Sequence, residues 1–330
     1  MNRPLPFSIL AFAVLGTCAV AQATESAVHN DMDGDGRSDL VWHNTTTGAI
    51  VYWSAANAAS TTTMRVRSES EFMFDPRAWS PVFAISEYWE TPNRNLLVMR
   101  RASDQAETNL YPDDASLPDY NYFFSPNWWT AHSAAHGDFD GNGVTDIFYR
   151  DPDTGEDYIV FDSEAADWGA TFQAQATVRL DWTIVGAGDF DGDRKTDILW
   201  RNPRTGQNAI WRSGDYNSQM AITDVANVNW NVAAVGDFNG DKRDDIVWRN
   251  AATGANAIWY SGQYATARAL TGVTDQHWQI TAIGDFDGDG IFDLFWRNSA
   301  TGADIIWRSA NSGTRMAVTS VTHVAWTTVM

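Results

Sequence analysis

Short runs of β-branched and aromatic residues alternate with polar turns along most of this chain, and the alternation recurs every 48 residues in its C-terminal half. Ile198-Leu-Trp200, Ile246-Val-Trp248 and Leu294-Phe-Trp296 are one such run in three copies. A Thr-Gly turn follows each at Thr205-Gly206, Thr253-Gly254 and Thr301-Gly302, and then Ala209-Ile-Trp211, Ala257-Ile-Trp259 and Ile305-Ile-Trp307. A tryptophan (Trp182, Trp230, Trp278) opens a further run seven residues ahead of each acidic loop. Runs of this length, bounded by Gly, Asn, Asp and Pro, predict short strands, and no stretch of the repeat has the 3.6-residue period of a helix. Four strands in a repeat of about 50 residues predict a blade of a β-propeller.

The N-terminal half carries the same pattern in weaker form. Val41-Trp42-His43-Asn44, Thr47-Gly48 and Val51-Tyr-Trp53 form one copy; Tyr149-Arg150, Thr154-Gly155 and Tyr158-Ile-Val160 form another. Between them, Trp79, the segment Glu87 to Asn95 and Leu96-Leu-Val98-Met-Arg100 read as a degenerate copy, residues 60–127, with an insertion. The prediction is all-β: a single propeller over residues 24–330, with six four-stranded blades. Ala325-Trp326-Thr-Thr-Val329 repeats the first strand of a blade with no loop after it, and the loop at Asp31 has no such strand before it. Closure of the ring by the C-terminal strand therefore follows, and it leaves no edge strand exposed.

The polar half of the repeat carries the candidate chemistry. Oxygen side chains occupy positions 1, 3, 5 and 9 of a nine-residue turn in five copies: Asp31, Asp33, Asp35, Asp39; Asp138, Asp140, Asn142, Asp146; Asp189, Asp191, Asp193, Asp197; Asp237, Asn239, Asp241, Asp245; and Asp285, Asp287, Asp289, Asp293. Four oxygens, a backbone carbonyl near position 7 and water suit calcium, which takes six to eight oxygen ligands. Zinc and copper want His or Cys, absent from these turns. About five Ca2+ with a structural role are expected. The degenerate copy puts Trp89 and Thr91 where ligands belong, which predicts no metal there.

Composition changes the picture in three ways. The net charge is −20, but 18 of the 42 acidic residues are loop ligands, so five calcium ions would leave about −10. No basic patch is visible, which argues against nucleic acid or an anionic membrane surface as partner. Residues 1–23 read as a secretory signal peptide, with Arg3 ahead of the apolar run from Phe7 to Leu15 and small residues for cleavage after Ala21 or Ala23. Retention as an anchor and lipidation at Cys18 are the alternatives. The apolar run is too short to span a bilayer, and the chain's one cysteine lies inside this segment, so a secreted, periplasmic or extracellular product would carry no disulfide.

The acidic loop on a four-stranded repeat resembles the FG-GAP/VCBS repeat family, the integrin-α-like β-propellers, across residues 28–330. The resemblance implies calcium in the loops and a role as an extracellular adhesion, lectin or accessory module. Asn142 and Asn239 depart from it by losing a charge; Arg194 and Lys242 replace the glycine found at position 6 of the other loops and predict strain there.

The expected function is a secreted, calcium-stabilised binding or adhesion module for an extracellular protein or cell-surface ligand. A carbohydrate-binding, lectin-like propeller is the alternative, and an enzyme or a domain accessory to one ranks behind both. The six histidines show no metal or triad spacing, and neither a nucleophile elbow nor a phosphate loop occurs. The repeated tryptophans are expected to fill the space between blades, and the repeated Arg150, Arg201, Arg249 and Arg297 to pair with carboxylates or carbonyls. Blade geometry does not demand the aromatics of the irregular stretch, so Tyr111, Tyr120, Tyr122, Trp128 and Trp129 are the candidate ligand-binding residues.

Overall fold

A computed structural model describes residues 30–64, 78–86, 95–101, 103, 107–110, 132–161 and 171–329. The segment read as a signal peptide, residues 87–94, and Tyr111, Tyr120, Tyr122, Trp128 and Trp129 lie outside them.

The described residues form antiparallel sheets in sequence order, here blades I to VI. Blade III holds the strands His132–Gly137, Asp146–Arg150, Asp157–Phe161 and Thr171–Ala174. Blade IV holds Thr183–Gly188, Asp197–Arg201, Asn208–Trp211 and Gln219–Met220, and blade V holds Trp230–Gly236, Asp245–Asn250, Asn256–Trp259 and Arg268–Leu270. Blade VI holds Trp278–Gly284, Asp293–Asn298, Asp304–Trp307 and Arg315–Ala317. Blade I joins both ends of the chain: Leu40–Asn44, Ile50–Trp53 and Thr61–Met64 are completed by Trp326–Thr328, which pairs with Leu40–Asn44 in the register Trp42 to Thr328 and Asn44 to Trp326. The predicted closure is therefore present.

The count of six four-stranded blades needs correction. The protein is a β-propeller with five blades of four strands; among the described residues blade II, in the degenerate copy, shows three, Trp79–Ser86, Asn95–Arg101 and Glu107–Leu110. The count rested on inner strands, which are apolar and patterned. The outermost strands of blades IV to VI are only two or three residues long, as at Gln219–Met220, and have little pattern to read.

The first strands of blades III to VI and the C-terminal strand lie side by side around the centre. Each of the first strands of blades II to VI carries a register shift at the same place, between Pro81 and Phe83, Ser133 and Ala135, Ile184 and Gly186, Val232 and Ala234, and Ile280 and Ala282. A bulge adds local twist, which a crowded inner strand needs. Blade II keeps it, which marks the sheet as a member of the ring.

The core is a chain of interfaces between successive blades. Trp42, Trp200, Trp248 and Trp296 are buried at equivalent strand positions, and each meets the second repeated tryptophan of its own blade (Trp53, Trp211, Trp259, Trp307) at 4.7–5.0 Å between ring centroids. Above each lies the guanidinium of the preceding blade. Arg150 stands 5.0 Å over Trp200, Arg201 5.1 Å over Trp248, Arg249 5.1 Å over Trp296 and Arg297 4.8 Å over Trp42. Each arginine also donates to the side chain seven residues on, Asp157, Asn208, Asn256 or Asp304, and to carbonyls of the connection to the next blade. Both expectations for the repeated residues hold: the tryptophans pack, and the arginines pair.

Candidate metal loops

The five acidic loops sit at equivalent places, each between the first and second strands of its blade. The same backbone pattern builds them. In blade IV, Asp189 at position 1 accepts from the backbone N–H groups of Gly192 (2.7 Å), Asp193 (3.2 Å) and Arg194 (2.8 Å). Position 5 accepts from position 7, here Lys195 N–H to Asp193 Oδ1 at 2.8 Å. Position 9 reaches both ways: Asp197 Oδ2 accepts from Phe190 N–H (3.1 Å), and Oδ1 from Ser213 N–H (2.9 Å). Short polar side chains bonding to backbone two to five residues on make the turn before any metal is considered.

Position 9 braces a second element. Ser213, Ser261 and Ser309, with Ala55 in blade I, stand in a single 3-10 turn after the third strand, in the left-handed region at φ 48–50°. Each donates its N–H to the position 9 carboxylate of its own blade at 2.9–3.0 Å. The Ser-Gly or Ser-Ala pair two residues past Trp211, Trp259 and Trp307 is the sequence signal for this turn, and blade I carries Ala55-Ala56 there.

Carboxylates converge in four loops. Oxygens of Asp31, Asp33 and Asp39, of Asp138, Asp140 and Asp146, of Asp189, Asp191 and Asp197, and of Asp285, Asp287 and Asp289 lie within 4.8 Å of one another. That span is about twice a Ca–O distance of 2.3–2.6 Å. In the blade V loop, Asn239 takes a carboxylate's place, and its amide and Asp241 bond to each other; the Asp237 turn is otherwise the same, with Gly240 N–H at 2.7 Å and Lys242 N–H at 2.8 Å.

Burial makes these acids costly as anions. It pushes Asp39, Asp197, Asp245 and Asp293 up to about 7, and raises Asp31, Asp138 and Asp189 despite the N–H groups they accept. Asp287 Oδ1 is buried without a hydrogen-bond partner, while Oδ2 of the same carboxylate pairs with Arg308 at 3.2 Å. Asp191 pairs in the same way with Arg212, at 2.8 Å. An all-oxygen donor set, anionic and desolvated with one oxygen unsatisfied, fits a hard divalent cation.

Strain falls where the sequence places it. Position 6 is left-handed in every described loop, at φ 81–86° for Gly36, Gly143 and Gly290 and at φ 68° and 66° for Arg194 and Lys242.

Among known families, the model described as an FG-GAP-like repeat matches residues 189–248 and 237–296, which carry the loops of blades IV, V and VI. Those residues are similar to FG-GAP-like repeats. No curated protein matches the sequence. Among solved structures, the crystal structure of BBS1N in complex with ARL6DN, soaked with lead, is similar at 11% identity and a TM-score of 0.46, over 92% of this chain and 90% of that one.

Proposed function

We propose that this chain is a secreted, calcium-stabilised β-propeller that serves as a binding or adhesion module for an extracellular protein or cell-surface ligand. The observation that carries the reading is the recurrence of one acidic turn in five blades, braced from position 9 in blades I, IV, V and VI. A cation in such a turn is held by positions 1, 3, 5 and 9 and supplies positive charge to carboxylates that burial keeps from water. Equivalent sites around a ring suit the fastening of blades better than a single reaction centre. The scaffold thus made is rigid, and rigid scaffolds present loops to ligands.

A lectin is the second reading, and one feature favours it. Tyr216 and Tyr264 occupy the same place in blades IV and V, lie 46% and 59% exposed, and meet Trp211 and Trp259 edge-on at 5.2 Å. Exposed aromatic rings held by packing are the surface that sugar rings stack on.

Binding of the labelled protein to intact cells in calcium tests both readings. Loss of binding after protease treatment of the cells identifies a protein ligand, and loss after deglycosylation identifies a glycan, to be named on a glycan array. No calcium-dependent binding to any cell or glycan would contradict the proposal.

A further inference from the structure

The acidic loops are joined to one another. In the loops of blades IV, V, VI and I, position 8 donates its backbone N–H to the carbonyl of position 1 in the preceding loop. Thr196 reaches Asp138 (2.7 Å), Asp244 reaches Asp189 (2.7 Å), Phe292 reaches Asp237 (2.8 Å) and Ser38 reaches Asp285 (2.9 Å). At two joints a side chain returns the contact, since Asp189 N–H donates to Asp244 Oδ2 (2.7 Å) and Asp285 N–H to Ser38 Oγ (2.9 Å). The last joint links residues 247 apart in sequence, across the seam where the chain ends meet. The loops also touch by packing: a Cβ on Gly192 would stand 2.9 Å from the Arg243 side chain of the next loop, and one on Gly288 2.9 Å from Arg37.

Positions 7 and 8 share one peptide unit. Its carbonyl belongs to position 7, the backbone ligand expected in a calcium loop of this length. Its N–H belongs to position 8 and holds the residue whose side chain opens the preceding loop. A cation that draws on the carbonyl makes the N–H a stronger donor and fixes the plane of the peptide. The preceding loop then has its first ligand already placed. Thermodynamic linkage requires the reverse effect to be equal.

We propose that the calcium loops of blades III, IV, V, VI and I form one coupled belt, in which occupation of a loop raises the affinity of its neighbours across the position 8 joint. The proposal rests on the calcium reading above. Nearest neighbours should feel the coupling most, because each joint links only two loops.

The experiment is a titration of the chelator-stripped full chain with calcium alone, read by NMR on 15N-glycine. Gly36, Gly143, Gly192, Gly240 and Gly290 report one loop each. The expected result is that all five shift together, steeply, with a Hill coefficient of about 1.5 or more. In Asp241→Ala, which weakens the blade V loop, the midpoints of Gly192 and Gly290 should move to calcium at least about fivefold higher, further than those of Gly143 and Gly36. If that variant does not fold, Asp241→Asn takes its place, because Asn142 occupies the same position in blade III. Five independent hyperbolic transitions in the unaltered protein would overturn the coupling and leave calcium binding intact. No glycine response up to about 10 mM calcium, above the range of extracellular calcium modules, would overturn both.

Discussion

Arg297 lies 4.8 Å over the ring of Trp42, so blade VI grips blade I at the seam between the two ends of the chain. The same guanidinium bonds both carboxylate oxygens of Asp304, at 2.8 and 2.9 Å, and the carbonyl of Val321 at 2.8 Å. Arg297→Ala leaves the Asp304 carboxylate buried without its partner, a change that costs about 3–5 kcal/mol. Asp304→Asn should cost less than about 1 kcal/mol, since Asn208 and Asn256 serve the same arginine in blades IV and V. Urea melts of the two variants check this; equal losses would mean that the ion pair itself is required.

Truncation after residue 324 removes the strand Trp326–Thr328 and the buried Val329, whose N–H donates to Val41 at 3.1 Å. Loss of one buried apolar side chain and a row of strand pairs should lower stability by about 3 kcal/mol or more, a fall in Tm of at least about 5 °C. An unchanged Tm would mean that blade I holds without its closing strand.

Much of this architecture was legible because it is repetitive. Trp200, Trp248 and Trp296 recur at one position, so burial at the blade interface was readable from their period, and the orphan strand at Trp326 announced the closure. The fourth strands were harder to read, because two residues such as Gln219–Met220 carry no period. The joints between loops were invisible for a different reason. Ser38, Thr196, Asp244 and Phe292 follow no common side-chain type, because position 8 acts through its backbone N–H, which every residue but proline owns. The pairing of Arg212 with Asp191 needed coordinates, since the two lie in separate turns.

Arg194 and Lys242 hold left-handed conformations that glycine adopts freely, and a Cβ at the equivalent Gly36, Gly143 or Gly290 meets nothing within 4 Å. The cost at position 6 is therefore in the backbone and not in crowding. A left-handed residue with a side chain costs about 1–2 kcal/mol, of which the extra freedom of unfolded glycine returns about half. Arg194→Gly and Lys242→Gly should each stabilise the protein by about 0.5–1 kcal/mol in thermal melts. Destabilisation would mean that the two basic side chains contribute contacts worth more than the strain.

Stability should depend on pH with opposite sign in chelator and in calcium. The position 9 acids Asp39, Asp197, Asp245 and Asp293 are pushed up to about 7, whereas an unfolded aspartate titrates near 3.9. Between those values the folded chain holds more protons than the unfolded one, so its stability falls as pH rises. A bound cation favours the ionised form and reverses the slope. In chelator, Tm should decline from about pH 5 to 7.5; in calcium it should rise over the same window. A chelated protein whose Tm climbs through that window would contradict the burial argument.

The central claim is that the five acidic turns are calcium sites. Its most direct test is metal content. The protein, dialysed against calcium buffer and freed of unbound ion, is analysed for bound metal per chain. The account predicts about five calcium ions, within four to six; a value of zero or one would contradict it.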